Sequence, residues 1–212
     1  MTEIKIKNLK KSYKKLSLFN KSEKIVFENL NLSIPLNKMS VITGKNGKGK
    51  TTLFKILASY ISFNSGKITI NNENYFDYIK KNKIFLISPE SRSMYYRLTV
   101  MQNLKFFTTI MNQELKEEEI DEILTFLEIL DLKNNKFYEL STGLMQRVMI
   151  ARGILLKPKI LFIDEPEIGL DKDITIKIFE KFQKLTKDIT IIYSSHRESL
   201  INKADIIIDL DK

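Results

Sequence analysis

The chain has 212 residues, 43% of them hydrophobic and 29% charged, enough apolar material for one folded domain and too much for a disordered tail. With no cysteine and one histidine, disulfides, thiolate metal sites, cysteine nucleophiles and His-based metal clusters are all excluded. Lys and Arg number 35 against 26 Asp and Glu, a net charge of +9; most of these cations are single scattered lysines, so the charge alone selects no partner. No apolar run approaches the ~18 residues of a membrane span, and the N-terminus lacks the apolar stretch of a signal peptide, so a soluble chain is expected.

Residues 2–36 alternate apolar and polar positions (Ile4, Ile6; Ile25, Phe27, Leu30, Leu32, Ile34), the pattern of antiparallel strands, with residues 14–24 as a polar connection between them. Met39–Thr43 reads as a short buried strand running into a glycine cluster, and residues 51–60 follow at helical spacing. Residues 67–70 and 75–76 flank Asn71-Asn72 as a hairpin would, and residues 83–87 read as another buried strand. From 88 to 140 the period turns helical. Residues 98–111 carry Leu104, Phe107, Ile110 and Met111 on one face. Residues 115–130 carry Ile120, Ile123, Leu124, Leu127 and Leu130, with Glu117, Glu118 and Glu119 near the N-terminus, where the helix dipole favours acid. Helix 145–156, strand Ile160–Ile163, helix 174–185 and strands 189–193 and 206–210 complete the chain. Strands alternating with helices predict an α/β fold with a mostly parallel sheet. It is read as a single domain over 1–212, with 1–87 and 141–212 as its core and 88–140 as an inserted α-helical subdomain.

Only seven glycines are present, and three of them fall in Gly44-Lys45-Asn46-Gly47-Lys48-Gly49-Lys50-Thr51. This satisfies G-x-x-x-x-G-K-[ST] and lies between a strand and a helix, as a phosphate-binding loop must. Glycines let consecutive backbone N–H groups turn inward around phosphate oxygens. Lys50 would neutralise the β and γ oxygens and Thr51 would ligate Mg²⁺, with Thr52 in the same first turn. Ile160-Leu161-Phe162-Ile163-Asp164-Glu165-Pro166 is a buried strand ending in two acids. Its tip places Asp164 beside the P-loop to hold Mg²⁺, and Glu165 where it could polarise a water. Ser141 is a candidate N-cap for the helix after Leu140-Ser141-Thr142-Gly143-Leu144. These features predict a P-loop NTPase.

The P-loop, the Leu-Ser-Thr-Gly segment, the Ile-Asp-Glu-Pro strand, Gly169-Leu170-Asp171 and Ser194-Ser195-His196 occur in the order and approximate spacing of ATP-binding cassette (ABC) ATPases. The resemblance spans nearly the whole chain and is strongest to single-cassette subunits of exporters whose membrane subunit is a separate chain. It implies ATP and Mg²⁺ as ligands, with Glu165 as general base and His196 holding the γ-phosphate. Ser141 and Gly143 would contact ATP bound to the opposite subunit of a head-to-tail dimer, and Asp171 would lie across that interface. Tyr13 sits where such proteins stack an aromatic on adenine, with Phe19 and Phe27 as rivals. Where the family carries a metal-contacting glutamine this chain has Glu90, which can also ligate Mg²⁺. Thr142, Leu144 and Asn37 are smaller departures. The resemblance further implies a membrane-spanning permease as partner, a second ABC subunit in an ATP-dependent dimer, and a cytoplasmic place on the inner face of the cell membrane. A soluble ABC-type ATPase acting on nucleic acid or ribosomes is the runner-up, and an ATP-binding regulatory cassette a third reading. One cassette without a heptad insertion favours transport over nucleic acid, and Glu165 with His196 favours hydrolysis over regulation.

Overall fold

Period-2 alternation divides the strands between two sheets in the computed structural model, which describes residues 2–16, 21–88 and 94–211. The first sheet is antiparallel, with β1 (Glu3–Leu16) between β2 (Lys21–Pro35) and β4 (Ser65–Ile70), and β5 (Glu73–Asn74) at its edge. The second runs β6-β7-β8-β3-β9, with β3 at Met39–Thr43, β6 at Ile84–Ile87, β7 at Ile160–Ile163, β8 at Thr190–Ser194 and β9 at Ile206–Asp209. Every pairing in it is parallel. A parallel sheet is covered on both faces, which is why its strands read as continuous apolar runs.

Successive residues of these strands feed two different cores. Ile160 and Phe162 join Ile4, Ile6 and Ile34 of the antiparallel sheet around α1 (Lys50–Leu57), whose Leu53, Phe54, Ile56 and Leu57 are buried between the sheets. Leu161 and Ile163 turn the other way, onto α5 (Thr142–Leu155) and α6 (Lys172–Leu185). Each such fully buried side chain contributes about 1.5–3 kcal/mol. The helices α3 (Val100–Ile110) and α4 (Glu117–Phe126) pack on α5 through Leu104, Ile120 and Leu124 and belong to this second apolar cluster. Gly153 brings α5 close to the sheet, since a Cβ there would stand 2.7 Å from Ile87 Cδ1. One residue earlier in α5, the Arg152 guanidinium lies over the rings of Phe85 and Phe107, 5.1 and 4.6 Å from their centroids. Burial lowers its guanidinium pKa to about 10, which leaves it charged at neutral pH.

Three local readings change. Residues 14–24 are not simply a connection: β1 extends through Leu16 and β2 starts at Lys21. On this ribbon Tyr13 and Ile25 are both exposed, so hydropathy shows no contrast there. Tyr75 and Phe76 are not a strand. They open α2 (Tyr75–Lys81), because Asn74 Oδ1 accepts the Phe76 N–H at 2.9 Å and caps it. The Asn71-Asn72 turn stands, both residues having positive φ, with Glu73 paired to Ile70. The short α7 (Glu198–Ile201) follows β8 with no signal in the pattern. Glu90 and Phe19 lie outside the described residues.

Candidate functional site

Strands β3, β7 and β8 end at the same edge of the parallel sheet, where ligands of such sheets bind. The loop after β3 carries Gly44, Gly47 and Gly49, and α1 starts directly behind it at Lys50. Gly49, at φ 96°, is the N-cap, so no side chain occupies the N–H groups of the first turn. A Cβ on Gly49 would stand 2.6 Å from both Val26 Cγ1 and Phe27 Cζ. Strand β2 therefore presses directly on the loop. Val26 reaches this position because the β1–β2 register slips there, Lys11 pairing with Phe27 but Ser12 with Ile25.

Lys50 is 6% exposed. Its Nζ donates to Gly44 O at 2.6 Å and Lys45 O at 3.4 Å, and lies 2.9 Å from His196 Nε2. An ammonium has only donors, so His196 accepts at Nε2 and carries its ring proton on Nδ1. At the tip of β7, Thr51 Oγ1 donates to Asp164 Oδ2 and Ser194 Oγ donates to Asp164 Oδ1, both at 2.6 Å. The Ser194 hydroxyl also accepts Glu165 N–H at 2.9 Å. Glu165 has φ 48°, a strained conformation for a residue with a side chain, and it faces the P-loop cavity rather than continuing the strand. A cavity of about 360 Å³ is lined by Asn46, Gly47, Gly49, Lys50, Thr51, Thr52 and Glu165 at one end and by Tyr13, Lys24 and Val26 at the other. Phe27 is buried beneath Gly49 and does not line it. A larger cavity of about 460 Å³ lies at the opposite end of the sheet, against Pro158 and Ile189, with no phosphate-binding loop. The chemistry assigns function to the smaller one.

Ser141, Gly143 and Asp171 do not line that cavity. Ser141 caps α5, its Oγ accepting Leu144 N–H at 3.4 Å. Gly143 is buried, and a Cβ on it would overlap the carbonyl oxygen of Gly169. Asp171 caps α6, accepting Ile174 N–H at 2.9 Å. Lys48 points outward and pairs with Asp211 at 3.2 Å, while Asp211 Oδ2 accepts Lys45 N–H at 2.9 Å. That backbone bond, followed by Lys48, holds the Asp211 carboxyl below the usual carboxylate range.

Two positioning groups lie beyond the reach of sequence reasoning. Glu167 is 8% exposed, and its Oε1 accepts Ser195 Oγ at 2.7 Å and His196 N–H at 3.3 Å. It thus joins the 167–171 turn to the segment that carries His196. Ser194, which bridges Asp164 and Glu165, is the second. Glu167 is visible in the sequence only as an acid flanking a recognised motif, and Ser194 only as part of Ser194-Ser195-His196 with no role of its own. Beyond the site, Met94 is buried, whereas Tyr95 is 51% and Tyr96 46% exposed. Tyr95 packs edge-on to Phe106 of α3 at 4.8 Å between centroids, and Tyr96 edge-on to Phe137 at 5.6 Å.

The chain belongs to the ABC transporter family, whose model matches residues 27–167, and it is an ATPase of that class. The cytochrome c biogenesis ATP-binding export protein CcmA of Reclinomonas americana is 33% identical over 192 residues, 89% of this chain and 86% of that protein. The lantibiotic transport ATP-binding protein SrtF of Streptococcus pyogenes is 33% identical, with coverage of 91% and 80%. The spermidine/putrescine import ATP-binding protein PotA of Mannheimia succiniciproducens is 28% identical, but the chain spans only 55% of its length, and it spans about half of several other relatives. Among solved structures, an ABC transporter ATP-binding protein from Pyrococcus furiosus superposes with a TM-score of 0.82 at 27% identity, covering 99% of this chain and 98% of that one. The ATP-binding cassette MJ0796, in a dimeric post-hydrolysis state bound to ADP and Pi, gives 0.83 at 25% identity, covering 97% and 93%. Among the described residues no helix is long and apolar enough to cross a membrane.

Proposed function

We propose that this chain is the nucleotide-binding subunit of an ABC exporter, hydrolysing ATP to ADP and phosphate to drive a separate membrane-spanning permease from the cytoplasmic face. The observation that carries this reading is the convergence of Lys50, the Thr51–Asp164 pair and Glu165 on one cavity. Export is supported by relatives named for export, CcmA at 33% identity and two export ATP-binding/permease proteins at 34% and 32%, against 28% and 30% for the import proteins.

In this reading the γ-phosphate sits between the P-loop N–H groups and Lys50, with His196 against it. Glu165 accepts a hydrogen bond from water and aligns it for attack on the γ-phosphorus as the bond to the β-γ bridging oxygen breaks. Lys50 and the helix N-terminus stabilise the charge that develops. The Thr51 hydroxyl and Asp164 carboxylate form a hard oxygen set that suits Mg²⁺, with Glu90 a third candidate, and Ser194 fixes the carboxylate. When bound, Mg²⁺ supplies charge neutralisation at the β and γ oxygens. Ser141, Gly143 and Asp171, remote from this cavity, would serve the ATP of a second cassette in a head-to-tail dimer. Residues 88–140 form the helical subdomain, and Tyr95 and Tyr96 lie on the surface it would offer to the permease.

The dimer is tested with Glu165→Gln, which keeps nucleotide binding and stalls hydrolysis, so ATP bound at shared sites stabilises the associated state. Size-exclusion chromatography with and without ATP–Mg²⁺ should show a nucleotide-dependent dimer. A monomer under both conditions, well above the ATP affinity, counts against composite sites.

A further inference from the structure

Lys11 is 9% exposed, although lysine is rarely so buried unless paired. What holds its ammonium is a carbonyl and a ring. Nζ donates to Ser62 O at 2.7 Å and stands 4.7 Å from the centroid of the Tyr13 ring. Two more bonds tie the same strand segment to the same loop: Asn64 N–H to Lys10 O at 2.9 Å, and Ser12 N–H to Asn64 Oδ1 at 2.8 Å. That loop leaves the C-terminal end of α1, the helix whose N-terminus closes the P-loop. The phosphate end and the Tyr13 end of the cavity are therefore fastened to each other. Tyr13 lines the cavity and Lys11 does not, so the ammonium supports the ring from outside the space a ligand would fill.

We propose that Lys11 is a positioning residue: anchored on Ser62, it holds the Tyr13 ring as the platform on which the purine of a nucleoside triphosphate stacks. This rests on the reading of the cavity as an ATP site with Tyr13 at its base end. Tyr13 is 40% exposed, on a stretch of ribbon where β1 pairs with β2 alone, and Lys11 is the cation over its ring. A cation on the negative face of an aromatic ring is attractive, and strengthens as water is removed. It also leaves the far face less negative, which suits an electron-rich purine. Holding the ring ready lowers the ordering cost of binding.

The experiment compares two probes, ATP and tripolyphosphate, the second lacking base and ribose. Lys11→Met keeps the apolar stem and removes the charge. It should weaken ATP on the order of five- to tenfold, the size of one partly desolvated cation–π contact, and leave tripolyphosphate within about twofold. The loss should appear in KM rather than kcat, and Lys11→Arg should restore it. The chain has no tryptophan, so Tyr13→Trp gives a sole indole whose emission should respond to ATP and lose most of that response when combined with Lys11→Met. Equal weakening of ATP and tripolyphosphate in Lys11→Met overturns the proposal in favour of a general loosening of the fold. Unchanged ATP affinity in Lys11→Met, with Tyr13→Ala still impaired, overturns the role of Lys11 alone. If Tyr13→Ala is itself silent, the base-end reading of Tyr13 fails, and the proposal fails with it.

Discussion

Two helix N-termini carry the candidate chemistry, and they are finished differently. At α1 the cap is Gly49, no side chain covers the first-turn N–H groups, and Lys50 and Glu165 line the cavity in front of them, with His196 against Lys50 and Asp164 bonded to Thr51. At α5 the cap is Ser141, whose own hydroxyl takes the Leu144 N–H, and Gly143 is packed under the Gly169 carbonyl. The first end is left open to an anion, with groups of its own chain arranged around it. The second is held in shape by its own chain, and its exposed Ser141 does not line that cavity. Such a pair of ends is what a molecule needs if each of two sites is completed by the other copy.

The comparison breaks most sharply at Lys50. Replacing it with Ala removes the cation at the α1 end, and phosphate release from ATP should fall at least about a hundredfold, while the circular dichroism spectrum stays native. Turnover at the parental rate would mean the α1 end is not the phosphate site. Glu167→Ala should be milder. It frees Ser195 and the His196 backbone, so hydrolysis drops about tenfold, whereas Glu167→Gln, which keeps an acceptor oxygen, retains most activity. A Gln variant as poor as Ala would show that the carboxylate charge matters rather than its hydrogen bonds.

Gly143→Ala separates the two ends by stability instead of rate. A methyl group must displace the Gly169 turn, costing about 1–3 kcal/mol, readable as a lower urea midpoint in the isolated chain. An unchanged midpoint would mean that the α5 end yields freely. The smallest expected effect on catalysis is at the exposed rings. Tyr95→Ala or Tyr96→Ala should leave basal ATPase within about twofold but reduce co-purification with the membrane subunit. Undiminished recovery with both variants would remove that surface from the docking model.

Much of this is legible in the sequence. The P-loop and the Asp164-Glu165 tip are local motifs, written in consecutive residues whose geometry follows from glycine and from an apolar strand. The parallel strands announce themselves because burial on both faces leaves no polar alternation. What was hidden depends on neighbours distant in sequence. The β2 slip at Val26 that seats it against Gly49 follows from tertiary packing, and Glu167 is an ordinary turn acid until β8 brings Ser195 beside it. The α2 and α7 helices were hidden for another reason, being too short for a period to register.

Gly143 and Gly153 sit on the same helix about 15 Å apart along its axis. Each lets α5 approach a neighbour with no side chain of its own between them, the backbone of the Gly169 turn at one end and the Ile87 and Leu161 side chains of the sheet at the other. Side chains between packed elements act as compliant pads, because rotamers can give by a few tenths of an ångström. At the Gly169 end that pad is missing, because backbone meets backbone, whereas at the other end Ile87 and Leu161 supply one. The coupling of α5 to its surroundings is thus uneven: a displacement of the 169 turn passes directly into the helix, while the side chains between α5 and the sheet can absorb part of it at the far end.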